Sequence, residues 1–162
     1  MIIMGVDPGF ARVGWAIIEH KASRIMPKAY GCIETEKTET LQNRLMIMHS
    51  AIQTLIKRFS PDCMSVEELY FATNAKTAIN VGQARGVILL AAAQRNVPVV
   101  SYSPLTVKRT ICGDGKADKS QIGRMVTKIL KLKEIPKPDD TADALAIALT
   151  HGYSFRLTDK FV

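Results

Sequence analysis

Apolar residues first gather at positions 2–7, Ile-Ile-Met-Gly-Val-Asp, a run of buried-strand type that closes on an aspartate and is broken by Pro8-Gly9. Residues 13–19 and 28–35 give two more strands, and the short connections predict an antiparallel meander. The period then changes. Leu41, Leu45, Met48, Ile52, Leu55, Ile56 and Phe59 recur at helical spacing, so residues 41–59 form an amphipathic helix with Met48 in its core stripe, ended by Ser60-Pro61-Asp62. Residues 62–67 make a fourth strand with Glu67 at its carboxyl end, and residues 68–76 a loop in which Tyr70 and Phe71 are neighbours. Residues 77–95 form a helix that is apolar around most of its circumference, and residues 97–102 a fifth strand. Pro104 opens a short helix to about Ile111, Gly113-Asp114-Gly115 breaks it, residues 118–132 form a basic helix, and a last helix runs from about Asp140 to Tyr153.

Three antiparallel strands followed by strand–helix alternation predict an α/β fold. It has one five-stranded mixed sheet, with three strands antiparallel and then two parallel, and helices on both faces. The 162 residues fit one domain spanning 1–162. No run of eighteen apolar residues occurs, so no membrane span is expected, and the N-terminus reads as a strand, not a signal peptide. Cys32, Cys63 and Cys112 are far apart and odd in number, which predicts free thiols in a reducing cytoplasm. No histidine lies near any of them in sequence to make a thiol nucleophile.

The formal net charge of +7 is unevenly spread. Between Pro104 and Pro138 nine basic residues, Lys108 and Lys119 among them, face only Asp114, Asp118 and Glu134. Most of the excess therefore lies in one stretch, which suits a polyanion, nucleic acid first.

Four carboxylates deserve a chemical reading together. Asp7 and Glu67 end apolar strands, and in open α/β sheets ligands bind at the carboxyl ends of strands. Asp140 and Asp143 stand three apart at a helix start and share a face. Taken singly each has a plain alternative: a turn aspartate before Pro-Gly, an exposed strand-end charge, a helix N-cap, a residue favouring the helix dipole. Brought to one sheet edge, four acids would repel and raise one another's pKa, and divalent cations remove that conflict. Hard oxygen ligands select Mg²⁺ or Mn²⁺ over zinc. Two such ions, roughly 3.5–4 Å apart, can clamp an in-line phosphoryl displacement with no side-chain nucleophile. Competing motifs are absent: no G-x-x-x-x-G-K-[ST], no H-E-x-x-H, and His20, His49 and His151 are isolated in sequence.

The segments Gly5-Val-Asp-Pro-Gly9, Val66-Glu67, Asn74-Ala75, Gly82-Gln-Ala-Arg-Gly86, Lys119-Ser-Gln121 and Asp140-Thr-Ala-Asp-Ala-Leu-Ala-Ile-Ala148, in this order and spacing, resemble the RuvC family of Holliday-junction resolvases, from Met1 to about His151. The resemblance implies a ribonuclease H-like fold and a homodimer that nicks four-way DNA junctions symmetrically with Mg²⁺. It carries over Asp7, Glu67, Asp140 and Asp143 as metal ligands, and Lys108 and Lys119 as basic residues near the scissile phosphate. Tyr70 becomes an aromatic stacking on a base near the junction centre, and a branch-migration helicase a partner. Three features depart from the pattern. Glu68 follows Glu67 directly, although strand alternation points the two to opposite faces. Asp139 precedes Asp140, and the i, i+3 relation to Asp143 favours Asp140. The tail after His151 is short, so DNA contacts made by a longer tail elsewhere would be missing.

Two other readings stay open on sequence. An actin-like or sugar-kinase-like ATPase also begins with an apolar strand ending in Asp, but needs two such domains, and stoichiometric ATP binding would mark it. A non-catalytic junction-binding protein would be marked by a missing carboxylate. The helix over 77–95 predicts a two-fold dimer: it is too apolar for one solvated face, and Gly82 and Gly86 would let a second helix approach.

Overall fold

The computed structural model describes residues 1–22, 24–69 and 75–158. Its elements follow the predicted order: β1 (Ile2–Asp7), β2 (Arg12–Lys21), β3 (Arg24–Glu34), α1 (Leu41–Phe59), β4 (Cys63–Glu67), α2 (Ala75–Ala93), β5 (Val99–Tyr102), α3 (Pro104–Cys112), α4 (Lys119–Leu130) and α5 (Asp139–Thr158). The sheet order is β3-β2-β1-β4-β5. β1 pairs antiparallel with β2 and β2 with β3, whereas β4 runs parallel to β1 and β5 parallel to β4. The mixed sheet expected from the alternation is therefore present.

Side-chain alternation along β1 splits the core into two layers. Ile3 joins the cluster under α3, α4 and α5, with Leu145, Ile147 and Leu149. Met4 and Val6 join the opposite cluster under α1 and α2, with Met48, Ile52 and Ile88. These large side chains are fully buried, and each contributes about 1.5–3 kcal/mol by leaving water.

Element boundaries follow local chemistry. The Thr40 side chain caps α1 by accepting from the Asn43 N–H, and Ser60 ends it in the left-handed region at φ 45°. Asp118 and Gln121 form a reciprocal capping box on α4, so one of the few acids in the basic tract has a structural role. The β2–β3 hairpin is longer than the apolar pattern suggests. The polar residues Lys21 and Arg24 still pair across its end, because ladder bonds need only backbone. α2 begins and ends two residues earlier than predicted, and α5 starts at Asp139 and runs on to Thr158. Asp140 is thus inside the first turn of α5, not its N-cap. Among the described residues no helix is long and apolar enough to cross a membrane.

Candidate active site at the sheet edge

Two glycines decide where α5 lies. A Cβ on Gly5 would overlap the Ala144 carbonyl oxygen, and one on Gly14 would overlap the Asp140 carbonyl oxygen. Gly14 stands opposite Asp7 in the β1–β2 register. The missing side chains let the α5 backbone settle on β1 and β2, which brings Asp140 and Asp143 to the strand end that carries Asp7. Glu67 ends β4, the parallel neighbour of β1. The four predicted carboxylates therefore come from three elements and meet at one edge.

Their electrostatics show the proximity. Loss of solvent lifts the Asp7 carboxyl well above the ordinary carboxylate range, and the charges of Glu67, Asp143 and Asp140 lift it further. Glu67 is pushed up to about 7, first by burial and then by Asp143, with Lys119 and Lys108 pulling it back. Asp143 is raised by burial, against the opposing pull of Lys119. Such a cluster fits a cation of charge greater than one.

Lys119 enters the cluster from the start of α4. Its Nζ donates to Asp139 Oδ2 at 2.7 Å and lies 3.1 Å from Asp143 Oδ2. Burial disfavours the ammonium, but these two acids outweigh burial and raise its pKa. Arg12 Nη1 sits 3.4 Å from Asp140 Oδ2. Two side-chain cations thus lie against the acids, as a partial stand-in for a divalent ion. Among the described residues no three carboxylates are drawn together closely enough to hold a metal as they stand. The donor set nevertheless fits one by type, being all oxygen and short of positive charge.

The two ambiguous acids separate. Glu68 is exposed and lies one residue past the end of β4, whereas Glu67 is half-buried. Asp139 is exposed too and is tied to Lys119, which holds its carboxyl below the usual range. Lys108, on α3, is close enough to lower the Glu67 pKa. Tyr70, the predicted stacking residue, and Phe71 lie outside the described residues.

Arg12 was not found by sequence reasoning. It opens β2 and, with Gly9, Phe10, Ala11, Asp139 and Asp140, lines an open depression of about 300 Å³ beside the acids. Its only sequence signal is its place just after the Asp-Pro-Gly turn. The cysteines are not candidate nucleophiles: burial, with Asp140 and Glu34, pushes Cys32 up to about 11, and burial does the same to Cys63.

Comparison with known proteins gives a consistent picture. Residues 3–151 match the family described as "Crossover junction endodeoxyribonuclease RuvC". The protein of that name from Halothermothrix orenii is 50% identical over 161 residues, covering 99% of this chain and 98% of its own length. Its counterpart from Desulfitobacterium hafniense (strain DCB-2) is 50% identical over 160 residues, covering 99% and 97%. The structure of Thermus thermophilus RuvC in complex with Holliday junction substrate superposes with a TM-score of 0.92 at 36% identity, covering 98% of this chain and 96% of that one.

Proposed function

We propose, from the premise that the chain belongs to the RuvC family of crossover junction endodeoxyribonucleases, that it resolves four-way DNA junctions by paired symmetric nicks at the acidic sheet edge. The observation that carries the site is that Asp7, Glu67 and Asp143 are all raised, chiefly by burial and then by neighbouring acids. Acids held this way are prepared for divalent cations. Asp7, Glu67, Asp140 and Asp143 would hold Mg²⁺, two ions per site, with Mn²⁺ able to substitute. When bound, such ions lower the pKa of a water and stabilise the leaving 3′ oxygen.

The chain's own residues do the rest. Lys119 and Lys108 flank the acids and bind the phosphate as negative charge develops on it. The basic stretch around them tracks the DNA backbone, and Tyr70 stacks on a base near the junction centre. Two copies pair through α2, so that symmetry-related strands meet two sites. A branch-migration helicase is the partner that the family resemblance carries, and the cytoplasm is the compartment.

The test uses a labelled four-way junction with and without Mg²⁺. Asp7→Asn, Glu67→Gln, Asp140→Asn and Asp143→Asn should each abolish nicking and leave junction binding within about threefold of wild type, because phosphate contacts dominate affinity. Lys108→Ala and Lys119→Ala should slow nicking by about 10- to 100-fold, further than any loss of melting temperature explains. Near-normal nicking by any acid variant removes that residue from the site.

A further inference from the structure

The Gly82-Gln-Ala-Arg-Gly86 segment has no part in the site described so far. It lies on α2, where Arg85 is the only charged residue between Ala78 and Ala93. A charge in so apolar a helix needs a reason. Arg85 is not turned fully to solvent; it is partly buried, and its guanidinium reaches the ends of two strands. Nε donates to the Glu67 backbone carbonyl at 3.3 Å and Nη2 to Ser101 Oγ at 2.8 Å. Among the described residues no carboxylate forms an ion pair with it. Its hydrogen-bond partners among the described residues are these two neutral oxygens.

The Glu67 carbonyl needs that donor. In a parallel strand the backbone groups of alternate residues face alternate neighbours. The Met64 N–H bonds to Pro98 O and the Glu68 N–H to Tyr102 O, so even-numbered residues of β4 face β5 and odd-numbered ones face β1. Carried past the Val6–Val66 pair, the register sets residue 8 opposite the Glu67 carbonyl. Residue 8 is proline and has no N–H to give. The turn that frees the end of β1 for chemistry leaves the Glu67 carbonyl without its ladder donor, and Arg85 supplies one from α2.

We infer that Arg85 is a positioning residue for the nuclease reaction, fixing the backbone of Glu67 by bridging its carbonyl to Ser101 at the exit of β4 and β5. The inference rests on Glu67 being a site carboxylate, as proposed above. Arg85 touches neither substrate nor reacting atoms. It limits the swing of the strand end, so the Glu67 side chain is already aimed at the other three acids. Gly86, the next residue, is exposed and lies about a quarter-turn further round the helix, so one turn of α2 joins the proposed dimer contact to the strand end.

The experiment compares wild type, Arg85→Met, Arg85→Lys and Glu67→Gln as full-length proteins. Four quantities are read: single-turnover nicking at saturating four-way junction in Mg²⁺, junction affinity in EDTA, Mn²⁺ binding to the DNA-free protein by calorimetry, and sedimentation. Arg85→Met should lose about 10- to 100-fold in nicking rate and bind Mn²⁺ about 10-fold more weakly, as expected when the support of a ligand is removed. Junction affinity in EDTA and sedimentation should match wild type. Arg85→Lys, which keeps the charge but cannot span both oxygens, should fall between. It also decides the question if Arg85→Met does not fold: a Lys variant with unchanged rate and Mn²⁺ affinity overturns the inference. A loss confined to junction affinity, or normal nicking by Arg85→Met beside an inactive Glu67→Gln, overturns the role of Arg85 alone. Normal nicking by Glu67→Gln overturns the reading of the site and this inference with it.

Discussion

Glu67 is costly to the protein without a cation. Its carboxyl titrates near 4.5 in an unfolded chain and about 7 in the fold, because burial and Asp143 disfavour its charge. Between those values the folded state binds the extra proton, so stability is full below the unfolded pKa and is lost as pH rises through the folded one. Asp7 and Asp143 are raised in the same direction and add to the effect. In EDTA the melting temperature should therefore fall between pH 5 and pH 8. Mg²⁺ should restore it at the upper end. Glu67→Gln should flatten the slope and stabilise the metal-free protein at pH 8 by about 1–2 kcal/mol, discounted for residual solvent access. A melting temperature that rises over this range, or a slope that Glu67→Gln leaves intact, would contradict the reading. At this scale the sequence was informative about the acids, since Asp7 and Glu67 close apolar runs and Asp140 and Asp143 share a helix face. Arg12 was not legible. A charged residue at a strand start has no periodic signature, and its partner Asp140 lies 128 positions away.

The elements were readable from period and punctuation. α1 has the predicted bounds because a strong apolar stripe ends at Ser60-Pro61. α2 and α5 shifted or grew because helices that are apolar all round give no phase to mark their ends. What positions the acids is the contact of α5 with the sheet, and that depends on Gly5 and Gly14, inconspicuous inside strand patterns. Gly14→Ala should push the start of α5 off β2, since the new methyl meets backbone and not a movable side chain. Overpacking of this kind costs about 1–3 kcal/mol. The same shift separates Asp140 from Asp7, so nicking should fall further than the stability loss explains. Thermal melting and nicking below the melting range check this together. Ile52→Val is the control, because it trims the core on the other face of the sheet, away from α5, at a cost of about 0.5–1.5 kcal/mol. Equal tolerance of both changes would remove the glycine argument.

At the scale of the whole molecule, one surface of the fold is unfinished. The inner side of α2 is buried through Ala84, Ile88, Ala91 and Ala92, while Ile79 is 62% and Leu90 50% exposed, with the exposed Gly86 between them. Met46 of α1, the helix packed against α2, is 61% exposed. Positions 79, 83, 86 and 90 line one exposed helix face on which Gln83 is the polar member, and the two large aliphatic side chains beside Gly86 suit a partner. A second copy of the same face would satisfy it through an isologous contact, in which Gly86 would let two helix backbones approach. The prediction is a dimer at micromolar concentration. Gly86→Arg should abolish it, and the reason can be kept apart from misfolding. The site has open space within its own subunit, and arginine is a better helix former than glycine, which trails alanine by about 0.8–1 kcal/mol, so the isolated subunit should fold at least as well. Sedimentation velocity should show a dimer for wild type and a folded monomer for the variant. Nick counting on a supercoiled plasmid extruding a four-way junction should show paired cuts for the dimer and single, uncoupled cuts for the monomer. Two active sites held by one two-fold axis would explain such pairing, since both nicks would then occur within the lifetime of one complex. A Gly86→Arg protein that sediments as a monomer and still makes coupled nicks would sink the assignment of α2 as the contact that joins the two sites.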